Sequence, residues 1–251
     1  MARQNGLLKI KGTLDNVTFY KSQDGFMAKM KTSLDGERIK NDPSFARTRE
    51  NGEEFGNAAT SGKLFRDSLR SISSGVTDKR LVSRVTQLMS QIKNEDTTSI
   101  RGKRNVAVGV ATANGKTKLS AFEFNLNAIL GSILLKPFSL STTSGAITIA
   151  GLSPANDVVW PTGATHVSLT SAYANVNFAT GVYDIKLSSS VNLAKTATPS
   201  TTNTVLTPGS GVSGTGTKIF LMKIEFFQEV NGVQYSMKNG SYNALKIVAV
   251  G

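Results

Sequence analysis

"KIFLMKIEFFQEVNGVQYSMK", Lys218–Lys238, is the stretch on which the fold turns. Phe220, Met222, Ile224 and Phe226 fall on every second residue, the period of a strand with one buried face. Asn231-Gly232 follows, a pair that accepts positive φ at both central positions of a tight turn. The run therefore predicts the longest strand of the chain and a hairpin return through "VQYSMK". Asn239-Gly240 predicts a second turn, leading into "YNALKIVAV".

Working outward from this strand, residues 106–251 read as all-β. "AFEFNLN" places Phe122, Phe124 and Leu126 on one face; "ITIAG", "HVSLTSAYANVNF" and "VYDIKLS" follow, separated by turn residues. The apolar parity of the second of these runs switches near Ala174–Asn175, which predicts a bulge or a turn. Roughly seven strands at this spacing predict an antiparallel β-sandwich of immunoglobulin-like type. Trp160 is expected to plug one end of it. Lys195–Lys218 is a Ser/Thr/Gly-rich stretch too long for a simple connection and reads as a mobile loop or an interaction arm.

Residues 41–105 have a different texture. Asp42 and Pro43 suit an N-cap and a first helical residue. From Phe55 onward, Ala58, Gly62, Phe65, Leu69 and Ile72 keep a heptad spacing. "SSGVTDK" stops this helix at Gly75, with Thr77 as the next cap, and Leu81, Val85, Leu88 and Ile92 line a second helix. The unit reads as a helical hairpin followed by the linker "TTSIRGKRN". Gly52, Gly56, Ala59 and Gly62 form a row of small residues. Since each helix-interior glycine costs about 1 kcal/mol relative to alanine, the row predicts a helix built to touch protein closely, or else a kink near Gly52–Gly56. Lys63 with Asp67, and Arg49 with Glu53, have ion-pair spacing.

Residues 1–40 read as short strands. "NVTFYKSQDGFMAKMKT" flanks an Asp24-Gly25 turn, and "LLKIKG" predicts a third strand. The organisation expected is therefore a β-hairpin arm over 1–40, a helical hairpin and linker over 41–105, and a β-sandwich over 106–251: an α+β chain.

The 251 residues carry 29 Lys and Arg against 17 Asp and Glu, a net charge of +12, which favours anionic partners such as nucleic acid. The excess leans to the front: residues 1–110 hold 20 basic against 12 acidic side chains. Lys9, Lys11, Lys29 and Lys31 alternate with apolar residues, and Arg101, Lys103 and Arg104 form the densest basic cluster. They are the candidate nucleic-acid contacts; the competing reading of the strand lysines is protection of exposed edges. The helix over 47–70 has five basic and four acidic residues and is no cationic rod.

Catalytic chemistry finds little support. The chain has no cysteine and one histidine, so thiolate chemistry and a multi-histidine metal site are excluded, and no cofactor is expected. "GSGVSG" (209–214) lacks the strand-before, helix-after context of a dinucleotide fingerprint. "GVATANGKT" (109–117) has the wrong spacing for a phosphate loop, and Asn114-Gly115 reads better as a hairpin turn before the strand "KLSAFEFN". Glu53/Glu54 and Glu95/Asp96 are sequence neighbours that point apart on a helix. His166 reads as a hydrogen-bonded strand residue, and Tyr173, Tyr183 and Trp160 are too scattered for a sugar-binding face. No apolar run is long enough for a membrane span, and "MARQNGLLKIKG" is not a secretory signal, so synthesis in the cytoplasm is expected, with an extracellular or virion-like destination left open.

The blocks "KGTLDNVTFYKSQDGFMAKMK", "NDPSFARTRENGEEFG", "RGKRN" and "FFQEVNGVQYSMKNGSYNAL" resemble a group of small basic proteins encoded in Bacteroidota genomes. The resemblance spans nearly the whole chain. It implies a shared fold and no catalytic residues.

Together these features predict a non-enzymatic subunit that self-assembles into a filament, tube or shell, with nucleic-acid binding as the alternative. The expected subunit contacts are Phe19, Tyr20, Phe26 and Met30 on the arm, and Phe55, Phe65, Leu69, Leu81, Val85 and Leu88 on the helical seam.

Overall fold

The computed structural model describes residues 2–31, 36–76, 78–199, 202–209, 211–237 and 241–251. The expected Thr77 cap and Asn239-Gly240 turn lie outside them. The chain divides into two compact units, Met1–Arg49 and Glu50–Gly251. It is mixed helix and sheet, and among the described residues every strand pairing is antiparallel.

The first unit holds β1 (Ala2–Arg3), β2 (Gly12–Leu14), β3 (Val17–Ser22), β4 (Gly25–Met30) and helix α1 (Gly36–Asn41). The strands form one sheet in the order β1-β4-β3-β2. β3 and β4 join through Gln23–Asp24, and Gly25 starts β4 at φ 109°, a value L-residues avoid. "LLKIKG" contributes its last residue to β2 and is otherwise not a strand. The reason is local: the Gln4 side chain takes the place of a neighbouring strand, accepting from Ile10 N (2.9 Å) and donating to Ile10 O (3.2 Å). Asp42 caps the turn Pro43–Phe45 by accepting from Ser44 N at 2.9 Å, as its sequence context predicts.

The second unit contains α2 (Ala46–Ser68) from Glu50 onward, then α3 (Arg70–Ser73), α4 (Leu81–Lys93), α5 (Val106–Ala111), α6 (Ala113–Ser120) and α7 (Leu130–Ile133). β5 (Ser139–Leu140), β6 (Ile147–Ile149) and α8 (Pro154–Asp157) come next. The remainder is β7 (His166–Val176), β8 (Tyr183–Leu187), β9 (Val191–Ala194), β10 (Thr204–Leu206), β11 (Thr217–Val230), β12 (Val233–Ser236) and β13 (Ala244–Val250). β11, which carries Phe220, Met222, Ile224 and Phe226, is the axis of a six-stranded sheet. It pairs with β7 along eleven residues on one side and with β12 and β13 in succession on the other; β8 and β9 share the far side of β7.

Both faces of this sheet are covered. On one, Ala172, Ala174, Val176, Ile219, Leu221, Leu245 and Ile247 join Phe65, Leu69, Ile72, Val85, Leu88, Met89 and Ile92 in a single core. On the other, Val167, Leu169, Met222, Ile224 and Phe226 meet Ile147, Ile149 and Leu206 of a small three-stranded sheet, β10-β6-β5. Helices and sheet thus share one core, and the boundary expected at 105/106 separates nothing. The parity switch in β7 is no bulge: the strand runs in unbroken register from His166 to Val176 and is buried on both sides beyond His166. The irregularity lies between β11 and β13, where pairing skips from Phe220↔Ala249 to Leu221↔Ile247.

The all-β expectation for residues 106–251 fails at its start. Asn105 Oδ1 accepts from Val108 N and Thr112 Oγ1 from Gly115 N, two N-caps that open α5 and α6 across the expected "NG" hairpin. "AFEFNLN" is not a strand either. Phe122 and Phe124 do turn into the core, against Phe65, with ring centroids 6.4 and 5.9 Å from it, while Leu126 is exposed. Within the described residues of the Ser/Thr/Gly-rich stretch, β10 pairs with β6, and Ser213 donates to Asp184.

α2 and α4 run antiparallel. Glu54 reaches Lys93, while Gly62 faces Val85 and Met89, whose side chains a Cβ on Gly62 would meet at 3.4 and 3.7 Å. The small-residue row therefore makes one intimate contact inside the chain, at Gly62. At Gly52 and Gly56 a Cβ would meet nothing within 4 Å, and both residues lie inside one unbroken helix.

Candidate interaction surface

The N-terminal sheet is sorted into two unlike faces by strand alternation. Register puts Leu14, Val17, Phe19, Lys21, Phe26, Ala28, Met30 and Ala2 on one face. Apart from Lys21 this face is apolar, and it carries a concavity of about 540 Å³ lined by Ala2, Val17, Ala28 and Met30 with Lys29. The opposite face presents Arg3, Thr13, Thr18, Tyr20, Met27 and Lys29. No described residue of the sheet is buried; Leu14 and Met30 are 64% and 69% exposed. A sheet with an apolar face ordinarily buries it against another element.

Aromatic rings on this sheet stand beside ammonium groups. Lys11 and Lys21 lie 5.9 and 5.8 Å from the Phe26 centroid, and Lys29 lies 5.7 Å from that of Tyr20. These are cation–π distances, though at exposed sites each is worth only about 0.5–1 kcal/mol. Lys9 donates to Gln4 O, and Lys31 is exposed at the end of β4. Of the predicted arm contacts, Phe19, Phe26 and Met30 share the apolar face and Tyr20 lies on the other.

The predicted helical contacts fall differently. Phe65, Leu69, Val85 and Leu88 lie in the chain's own core, at 0, 0, 0 and 6% exposure, because the sheet and the second helix already cover them. They offer no surface to a second copy. Leu81 is half-buried against the same core, and Phe55 alone of the seam is open, at 60%.

The basic cluster is also committed. Arg101 pairs with Glu50 at 3.1 Å, Lys103 with Glu53 at 2.7 Å and Arg104 with Glu54 at 2.8 Å. Three cations in a loop meet three carboxylates along one stretch of α2, so their charge is cancelled within the chain. Glu53 is thereby taken from its expected partner; Arg49 instead donates to Ile39 O and Asp42 O. Glu54 sits deepest, 2% exposed, and accepts from Arg104, Lys93 and Gly102 N. The Arg104 guanidinium, foremost, then Lys93 and the Gly102 amide hold its carboxyl at about 2 against the pull of burial. Burial acts most strongly on Asp96, raising its pKa, yet amides and hydroxyls of Ser99, Asn105 and Thr98 outweigh it and bring the group to about 2.

A second polar feature escaped the sequence reading. Beside the helices, the sheet carries Lys223, Glu225, Thr170, Ser190 and Phe227 around a cavity of about 430 Å³. Lys223 Nζ donates to Ser74 O (2.5 Å) and lies 2.9 Å from Glu225 Oε1; Asn243 Nδ2 donates to Gly75 O (2.8 Å). Gly75 is at φ 80°, and a Cβ there would stand 2.7 Å from Glu225 Oε1. These groups clamp the turn after α3 to the sheet. The alternation around Lys223 and Glu225 is visible in sequence; the turn they hold is about 150 residues away and is not.

His166 opens β7, with Thr165 Oγ1 3.0 Å from Nδ1 and Glu229 3.5 Å from Nε2. Trp160 donates to Pro154 O and meets Phe226 edge-on at 5.6 Å. Among the described residues, no three His, Asp or Glu side chains converge as a metal-binding set, and no helix is long and apolar enough to cross a membrane. No family model, no curated protein and no solved structure matches this chain.

Proposed function

We propose that this protein is a non-enzymatic structural subunit that assembles through the apolar face of its N-terminal sheet. The observation carrying this reading is that sheet itself: four strands, none with a buried residue, presenting Val17, Phe19, Phe26, Ala28 and Met30 together. A unit of this kind gains its stability from whatever covers it. The helical seam drops out of the proposal, since Phe65, Leu69, Val85 and Leu88 are used internally. Phe55, exposed beside Gly52 and Gly56 on α2, stays available as a secondary contact.

The test is the native mass of the full chain by size-exclusion chromatography with light scattering, together with negative-stain images. Oligomers that grow with concentration are expected. Val17→Asp with Met30→Asp, a facing pair on the apolar side, is expected to return the protein to monomer while the circular dichroism of the second unit persists. A wild-type monomer at high concentration overturns the proposal.

A further inference from the structure

We infer that the polar end of the helix-covered face of the six-stranded sheet binds a small neutral sugar. The starting point is a change of chemistry along one face. Ala172, Ala174, Ile219 and Leu221 pack against the helices, and strand alternation puts Thr170, Lys223, Glu225 and Phe227 on the same side. Thr170 stands directly opposite Lys223 in the register, and the two are buried, at 6 and 7% exposure. Two residues along each strand, Ala172 and Leu221 fill the equivalent positions with apolar side chains. Polar groups cost free energy to bury. The clamp on the turn after α3 employs Lys223 and Glu225, but neither the Thr170 hydroxyl nor the Phe227 ring.

These residues floor the cavity of about 430 Å³, a volume within the ordinary range of small-molecule sites. Its rim is exposed serine: Ser71 and Ser74 on the helical side, Ser190 and Ser236 on the sheet side. Phe227, opposite Ser236 in the register, adds an aromatic wall. The site is therefore concave, open to solvent at hydroxyls and floored by a buried cation.

Charge selects the class of ligand. Lys223 and Glu225 are the charged residues of the lining, and they neutralise each other at 2.9 Å. A free anion or cation has to compete with that contact, and an amino-acid zwitterion has to separate it. The remaining capacity is that of neutral hydrogen bonding. Lys223 has three N–H donors and directs two of them, to Ser74 O and Glu225 Oε1. Glu225 keeps acceptor capacity on its second oxygen. Thr170 and Ser190 share one hydrogen bond of 2.8 Å between two hydroxyls, which leaves one hydroxyl hydrogen to donate. Donors and acceptors set around an aromatic wall match a pyranose, which has hydroxyls at its edge and C–H groups on its face. A hydrocarbon would strand the buried polar floor.

The experiment is saturation-transfer NMR titration of the full-length protein with glucose, galactose, mannose and N-acetylglucosamine, and with glutamate and inorganic phosphate as charged comparisons. Saturable binding of at least one of the sugars is expected, with a Kd of about 1–10 mM, ordinary for a neutral ligand of about a dozen heavy atoms. The Kd should change less than about twofold between roughly 50 and 500 mM salt, since no net charge is involved. Phe227→Ala is expected to weaken binding about tenfold. Ser71→Trp, at an exposed rim position, should block the mouth and abolish it. Tyr235→Ala, on the opposite face of β12 from Ser236, should leave it unchanged. Thermal melts of each variant confirm that the fold is kept.

No binding of any of the four sugars at about 20 mM, several times the expected Kd, overturns the inference. So does wild-type affinity in a folded Ser71→Trp, which places the ligand elsewhere. Equal or tighter binding of glutamate or phosphate overturns it too, because the site then selects charge. The site belongs to the second unit, whereas assembly is a property of the N-terminal sheet and is read by native mass, so either idea fails without the other.

Discussion

Arg104 and Glu54 face each other as two parallel hydrogen bonds, Nε to Oε1 at 2.8 Å and Nη2 to Oε2 at 2.9 Å, at the root of the loop that joins α4 to α5. With Lys93 and the Gly102 amide on the same carboxylate, one buried Glu ties α2, α4 and that loop together. A fork-to-fork pair of this kind is directional as well as strong. It explains why a segment that looks like a free basic linker is fixed in place.

Acid should loosen this knot. Glu54 and Asp96 both have folded pKa values near 2, below their ordinary 4.5 and 3.8. A depressed carboxylate contributes stability that is complete above its unfolded pKa and is lost as pH falls toward its folded one. Thermal denaturation should therefore show a melting temperature that holds above about pH 5 and falls steadily between about 4.5 and 2. Glu54→Gln should be less stable at pH 7 by about 3 kcal/mol, because Arg104 and Lys93 lose their counter-charge, and its pH dependence should be shallower. A parallel pH profile for wild type and variant would rule the knot out as the source.

Phe65 and Phe55 lie on the same helix, at the same heptad spacing, and should behave oppositely. Phe65 is wholly buried, stacked on Phe124 and edge-on to Phe122. Phe65→Ala should cost about 3–5 kcal/mol in urea denaturation. Phe55→Ala should change monomer stability by less than about 0.5 kcal/mol, and any effect should appear instead in the native mass. A large stability loss from Phe55→Ala would mean that the exposed ring has a partner inside the chain.

Much of the second unit was legible because its central strand advertises itself. β11 sets Phe220, Met222, Ile224 and Phe226 on every second residue, with Lys223 and Glu225 between them, and ends at Asn-Gly, so strand and return were both readable. β7 was legible as a strand but not in its surroundings: it is buried on both faces, so its period is blurred and mimics a bulge. α5 and α6 were illegible because, at six and eight residues (VAVGVA and ANGKTKLS), neither is long enough to reveal a helical period; Asn105 and Thr112 were the signals. β1 and β2, of two and three residues, are too short to carry any period. At the candidate surface, the aromatic and basic residues of β3 and β4 were readable. The cancellation of Arg101, Lys103 and Arg104 was not, because their partners lie about fifty residues earlier.

Lys223 and Glu225 provide a test of the clamp on the turn after α3. Lys223→Met should destabilise the protein by about 3 kcal/mol, since it strands Glu225 without its cation and Ser74 O without its donor. Adding Glu225→Leu should recover part of that loss, because removing both charges leaves no unpaired ion. The double-mutant cycle in guanidinium checks this. Strict additivity of the two substitutions would show that the 2.9 Å contact carries no coupling.

The glycines of the helical layer should separate into two classes that helix propensity alone does not distinguish. A Cβ on Gly109 would lie 2.0 Å from Ile92 O, and one on Gly115 would lie 2.0 Å from Gly109 O. At these points α5 crosses the end of α4, and α6 crosses α5, with backbone against backbone. Gly109→Ala and Gly115→Ala must push whole helices apart and should each cost well over about 2 kcal/mol, as overpacking at rigid sites does. Gly52 and Gly56 have open space at the Cβ position, so alanine there should stabilise the isolated chain by about 0.5–1 kcal/mol each, the ordinary helix-propensity gain. That sign carries further meaning. If a second copy approaches α2 closely along this row, Gly52→Ala with Gly56→Ala will raise the melting temperature of dilute monomer and weaken assembly at the same time. Thermal melts and light scattering on the same preparations resolve the two effects, and a variant that is more stable and assembles as well as wild type would show that no partner backbone reaches this row.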